Sequence, residues 1–170
     1  MRVFVYEYFT ANGIGREPGS PGHGIHREGL AMRDAVAADF ARVPGVEVLT
    51  EEPAEPAAAV VIAPESDGIL ARVAEDFDRR GHRRIGPSPD AIRLTSDKLA
   101  LAGHWRERGV PTPATTDRGP TACGLFPVVW KPRDGAGSVA TFRLNSALDV
   151  TIAKARRAAE GHAGPMVLQE

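Results

Sequence analysis

Residues 126–138, FPVVWKPRDGAGS, set an apolar run, a lysine and a glycine-rich bend in immediate succession. Phe126, Val128, Val129 and Trp130 are strand formers, and Pro127 is tolerated near a strand's start. Lys131 then stands at the strand's end, where a fixed ammonium can meet an anion. Gly135 and Gly137 enter left-handed backbone without steric cost, so the loop can turn tightly and present N–H groups to oxygen atoms. A strand, a lysine and a glycine loop in this order are read either as a nucleotide phosphate site or as a hairpin turn carrying a surface lysine.

The flanking segments bear on that choice. Thr95-Ser96-Asp97-Lys98 is a helix start with Ser96 or Asp97 as N-cap, and the helical run 99–108 stops at Gly109. Val110-Pro111-Thr112-Pro113 then forces an extended path. After a further helix, residues 166–170, MVLQE, read as another short strand. The ordered set SDK…GVPTP, FPVVWKPRDGAGS and PMVLQE resembles the first half of the ATP-grasp fold. The resemblance implies that Lys98 and Lys131 bracket the phosphates of ATP. It implies that Asp134, Gly135, Ala136, Gly137 and Ser138 form the loop that closes over them, and that the strand ending in Gln169 and Glu170 lies beside the adenine. In that family Mg2+ and an arginine for the transferred phosphate are held by the second half of the domain. No metal ligand is therefore expected in this chain, and the Mg2+ ligands are expected beyond Glu170. On this reading the chain is an N-terminal portion, inactive alone, whose missing half or a partner chain completes the site.

The first fifty residues refine the resemblance. Residues 2–9, RVFVYEYF, read as a strand, residues 12–24 as a glycine- and proline-rich loop, and residues 26–43 as a helix ending before Pro44-Gly45. EYFT, the glycine loop, REGLAMRDAV and DFARVPGVEV together resemble the pre-ATP-grasp domain of a subgroup that includes tyramine–glutamate ligases. Those join an amine to a glutamate carboxylate using ATP. Glu7, Arg27 and Glu28 lie where a strand ends and a helix begins, the place where ligands collect in open α/β sheets, and are candidate substrate contacts. For Glu28 a helix-terminal charge is the competing reading.

The middle of the chain alternates as an α/β domain does. Residues 46–49, 59–63 and 83–86 read as strands, residues 68–80 as a helix ended by Gly81, and Pro87-Ser88-Pro89 as the exit. The expected fold is thus a parallel-sheet, Rossmann-like pre-ATP-grasp domain over residues 1–95. The α+β first subdomain of an ATP-grasp domain, truncated, follows over residues 96–170. Within the latter, residues 139–144 read as a strand and 147–159 as a helix.

Composition narrows the partners. The 170 residues carry 21 basic and 22 acidic side chains, a net charge of −1, which gives no electrostatic case for nucleic acid or an anionic membrane. No apolar run reaches transmembrane length, and Met1-Arg2-Val3 does not open a signal peptide, so a cytoplasmic setting is expected. The lone Cys123 forms no internal disulfide. A homodimer is left open.

Three other features are weaker. Gly13-Ile14-Gly15 follows a strand as a dinucleotide fingerprint does, but position 18 is proline and the helix starts too late. His23 and His26 have ligand spacing with no third ligand at hand, so a solvated loop is expected. Arg79, Arg80, Arg83 and Arg84 read as a solvated face. The expected function is the ATP-binding portion of an ATP-dependent carboxylate–amine ligase working through an acyl phosphate on small-molecule substrates. The alternative is a non-catalytic nucleotide-binding or protein-interaction module derived from such a protein.

Overall fold

The computed structural model describes residues 1–120 and 126–170; Cys123 lies outside the described residues. By its contacts the chain divides into two compact units, one of residues 1–64 and 68–92 and one of residues 65–67 and 93–170.

The first unit is a parallel sheet of four strands, ordered β2-β1-β3-β4. Its strands are β1 (Arg2–Glu7), β2 (Glu47–Leu49), β3 (Ala58–Ile62) and β4 (Arg83–Arg84). Parallel neighbours need crossover connections, and helices supply them here: α2 (His23–Ala41) joins β1 to β2, and α3 (Ile69–Arg79) joins β3 to β4. Burial on both faces accounts for the continuous apolar run in β1, where Val3, Phe4 and Val5 are all buried. The core centres on Phe4 and Phe77, stacked with ring centroids 5.8 Å apart, with Tyr6 edge-on to Phe77 at 5.1 Å. The strand expected to reach Phe9 ends at Glu7. The Glu7 side chain caps a helical turn, α1 (Tyr8–Ala11), by accepting from the N–H groups of Phe9 and Thr10. That local cap overrides the strand preference of Tyr8 and Phe9.

α4 (Pro89–Ser96) occupies the stretch where Pro87-Ser88-Pro89 reads as punctuation. Proline is at home in the first helical turn, and the Ser88 hydroxyl accepts from the Ala91 N–H at 3.2 Å.

The second unit is an antiparallel sheet ordered β5-β8-β6-β7. It comprises β5 (Thr115–Thr116), β6 (Val128–Pro132), β7 (Phe142–Leu144) and β8 (Met166–Gln169), with α5 (Lys98–Glu107) before β5 and α6 (Ala147–Ala159) between β7 and β8. One sheet face packs on α6: Val128, Trp130, Phe142, Leu144 and Leu168 meet Val150 and Ala153. Arg156 and Arg157 close this core, their guanidinium carbons 5.4 and 5.5 Å from the Phe142 and Trp130 ring centroids. Among the described residues no helix is long and apolar enough to cross a membrane.

A candidate nucleotide cleft

Strand alternation selects which side chains of β6 leave the core. Val128, Trp130 and Pro132 are buried, while Val129 and Lys131 are half-buried on the opposite face. The β6–β8 register pairs Val129 with Gln169 and Lys131 with Val167, so Gln169 shares that face. A cleft of about 530 Å³ opens there. Lys98, Lys131 and all five residues 134–138 line it, together with Val129, Thr141 and His162. Gln169 and Glu170 do not; they border a depression of about 120 Å³ beside Thr115 and Val128.

Lys131 and Gln169 nevertheless meet. The Lys131 ammonium donates to Gln169 Oε1 at 2.5 Å, and Gln169 Nε2 donates to Thr115 Oγ1 at 3.0 Å. The Thr115 hydroxyl donates in turn to the Pro113 carbonyl at 3.1 Å. Both polar ends of Gln169 are therefore engaged, one of them in aiming Lys131. Glu170 N–H donates to the Ala114 carbonyl at 3.2 Å, and its side chain is exposed.

Lys98 opens α5, which Asp97 caps by accepting from the N–H groups of Leu99 and Ala100. Its ammonium donates to the carbonyls of Asp134 at 3.0 Å and Gly135 at 2.8 Å, which anchors the start of the glycine loop. Asp134 Oδ2 also accepts from the Asp67 N–H at 3.0 Å. At the loop's far end the buried Ala140 donates its N–H to Glu160 Oε2 at 2.8 Å. Between these anchors residues 136–139 are exposed. The backbone is left-handed at Gly135 (φ 74°), Gly137 (φ 79°) and Ser138 (φ 59°). At Ser138 that conformation carries a strain glycine avoids, a feature that clusters where loops clamp ligands.

The electrostatics of the cleft favour an anion. Burial lowers the Lys98 ammonium below its ordinary value, and the Lys131 charge lowers it further, against the opposing pull of Asp134, Glu65 and Asp97. Two ammonium groups that destabilise one another are both stabilised by an anion placed between them. The chemistry of the residues present therefore fits phosphate oxygens: two fixed cations and an exposed, strained glycine loop. Among the described residues no group of three or more His, Cys, Asp or Glu side chains converges as a metal cage.

The other candidates fall elsewhere. The Glu7 carboxylate is 2% exposed and engaged by the amides of Phe9 (3.1 Å) and Thr10 (2.8 Å). Arg27 and Glu28 are exposed on α2. His23 and His26 each set Nδ1 against a loop carbonyl, Gly15 at 3.1 Å and Ile14 at 3.0 Å, and so fasten the glycine-rich loop to α2. Arg79 and Arg80 pair with Asp76, while Arg84 pairs with Asp78.

Among the cleft's partners that sequence reasoning misses are Thr115, Glu160 and Arg133. The Arg133 guanidinium grips Asp97 through Nε at 2.8 Å and Nη2 at 2.5 Å. An arginine two positions beyond Lys131 is a visible signal, but its partner lies 36 residues away. The guanidinium holds the Asp97 carboxyl below its ordinary value of 3.8, and the capping amides add to this. A depressed carboxyl contributes stability that is complete above the unfolded value and lost as pH falls through the folded one. Asp97→Asn is therefore expected to be less stable than the parent at pH 7, with the gap closing below about pH 4. Urea unfolding at pH 7 and pH 3 checks this, and a gap that persists unchanged at pH 3 contradicts it.

Comparison with known proteins bears on the fold. Residues 37–92 match the family model of the pre ATP-grasp 3 domain. No protein of curated function matches the sequence. Among solved structures, an ATP-grasp superfamily protein from Archaeoglobus fulgidus superposes with TM-score 0.63 at 21% identity, covering 100% of this chain and 52% of that one. D-alanyl-alanine synthetase A from Vibrio cholerae gives TM-score 0.68 at 13% identity, covering 99% and 58%. A RimK domain ATP-grasp protein from Sphaerobacter thermophilus gives 0.64 at 16% identity, covering 100% and 64%. At these identities the likeness establishes the fold: a parallel-sheet pre-ATP-grasp domain followed by the first part of an ATP-grasp fold. The chain spans about half the length of the Archaeoglobus protein it matches.

Proposed function

We propose that this chain is the ATP-binding portion of an ATP-dependent carboxylate–amine ligase. Residues 1–95 are its pre-ATP-grasp domain and residues 96–170 the first subdomain of its ATP-grasp domain. The observation that carries the reading is the convergence of Lys98, Lys131 and residues 134–138 on one cleft. Lys98 lies 36 positions before Asp134, and only the fold brings it to the strand and loop that carry the rest. The ligases among the structures of like fold support it.

The chemistry such a site serves follows from the inertness of a carboxylate toward amines. In the reaction proposed, a carboxylate oxygen attacks the γ-phosphorus of ATP and ADP departs. The amine nitrogen then attacks the acyl carbon, inorganic phosphate departs and a proton is released. The residues of this chain align the triphosphate and offset its charge, which is most of what phosphoryl transfer asks of a protein. Lys98 and Lys131 supply fixed positive charge to the α- and β-phosphates. The exposed stretch 136–139, slung between its two anchors, closes over the terminal phosphates with its N–H groups and the Ser138 hydroxyl. Gln169 exchanges its bond to Lys131 for the adenine amino edge, and Glu170 adds backbone contacts. Mg2+ would neutralise phosphate charge in this chemistry, and no cage of three or more His, Cys, Asp or Glu side chains stands ready for it among the described residues. The likeness of the first fifty residues to the tyramine–glutamate ligase subgroup supports an amide-forming ligase.

Calorimetric titration of the chain with ATP and, separately, with NAD tests the reading. Saturable ATP binding with no response to NAD is expected. Binding of NAD alone would place the ligand on the Gly13–Gly15 turn and overturn the proposal.

A further inference from the structure

We propose that the Asp97–Arg133 ion pair is a brace that sets the spacing of the two phosphate-binding lysines. The inference rests on the ATP-binding reading above. Asp97 immediately precedes Lys98, and Arg133 lies two residues beyond Lys131, so the pair joins the segments that carry the two cations. The join is multiple. Arg133 donates Nε to Asp97 Oδ1 at 2.8 Å and Nη2 to Oδ2 at 2.5 Å. The Lys98 N–H donates to the Arg133 carbonyl at 2.9 Å, and the Arg133 N–H donates to the Pro165 carbonyl at 2.9 Å. Asp97 Oδ1 also takes the amides of Leu99 and Ala100, both at 3.0 Å, so one carboxylate serves as helix cap and as receiver of the guanidinium fork.

Such a brace has work to do because Lys98 and Lys131 repel one another. Unrestrained, the first turn of α5 relaxes away from β6 and the two ammonium groups separate. Held, they stay close enough to serve one polyphosphate. Arginine beside a glycine loop is the residue most expected to bind phosphate directly, through its fork. Here the Nε and Nη2 edge of that fork already grips a carboxylate, and a two-pronged Arg–carboxylate pair is among the stronger and more directional ion pairs. Arg133 is therefore a positioning residue, not a phosphate ligand.

Two conservative substitutions separate bracing from mere folding. Arg133→Lys keeps the charge but loses the fork, whereas Asp97→Asn keeps a capping oxygen but loses the charge. ATP affinity is measured for the parent, each variant and the double variant, with thermal unfolding to confirm that each is folded. The Lys98 titration midpoint is followed by NMR at its side-chain Cε in the parent and in Arg133→Lys. Each single variant is expected to weaken ATP binding about tenfold, and the double variant no more than the weaker single, because either change already releases the brace. The Lys98 midpoint is expected to rise in Arg133→Lys as the Lys131 charge recedes. A purely structural pair would lower the unfolding temperature and leave that midpoint in place. Parent-like affinity and an unmoved midpoint in folded Arg133→Lys, or fully additive losses in the double variant, would sink the brace while leaving the ATP reading intact. A raised midpoint in a chain that does not bind ATP would uphold the brace and remove the function proposed for it.

Discussion

Lys131→Ala is expected to weaken ATP binding by about two orders of magnitude while leaving the fold intact. A hydrogen bond from a charged donor to a charged acceptor contributes roughly 1.5–3 kcal/mol, and each 1.4 kcal/mol is a factor of ten. Lys131 would make at least one such bond to phosphate. Its removal also takes away half of the cationic pair that draws the ligand in. Stability should move little, because the Lys131 side chain stands on the cleft face of β6, opposite the Trp130 core. Removing it even relieves the repulsion that depresses Lys98. Calorimetric titration with ATP alongside thermal unfolding separates the two effects. An unaltered ATP affinity in the folded variant would place the nucleotide elsewhere.

Gly29→Ala is expected to be the most damaging small substitution in the first unit. A Cβ built on Gly29 falls 2.5 Å from the Glu7 carboxyl carbon and Oε2 and 2.7 Å from Oε1. Gly29 is the buried residue of α2, and the carboxylate beneath it is itself buried and caps α1. Either α2 lifts from β1 or the carboxylate loses its amide donors. Overpacking costs about 1–3 kcal/mol, and stripping hydrogen bonds from a buried charged group costs a similar amount again. A loss of about 3–5 kcal/mol is thus expected, a large share of the stability of a domain this size. Gly24→Ala in the same helix is the contrasting control. A Cβ added there meets nothing within 4 Å, and helix propensity favours alanine by about 0.5–1 kcal/mol. Urea denaturation of both variants checks the pair, and equal stabilities would contradict the packing account.

The glycine loop was legible in sequence because its chemistry is local. Gly135 and Gly137 stand where left-handed backbone is needed. Lys131 lies inside β6, one residue from its end, so the strand runs two residues beyond the apolar stretch that marks it in sequence. The helix Ala147–Ala159 is equally local and begins and ends where the sequence pattern puts it. Other elements depend on what lies far away. β5 is two residues long and exists because Thr115 and Thr116 pair with Gln169 and Leu168, more than fifty positions on. The bond from Lys131 to Gln169 spans 38 residues and follows from the β6–β8 register, which no composition or spacing reveals. Glu7 also depends on distant packing. It sits at a strand's end, as a ligand-binding carboxylate does, yet the close approach of Gly29 buries it as a helix cap. Residue type and position set what a side chain can do, and packing decides which of those things it does.

The most direct test of the central claim is an amide NMR titration of the chain with ATP. The account expects shifts concentrated at Lys98, Lys131, residues 134–141 and Gln169, saturating together. Shifts concentrated instead on residues 12–24, or none up to millimolar ATP, would contradict it.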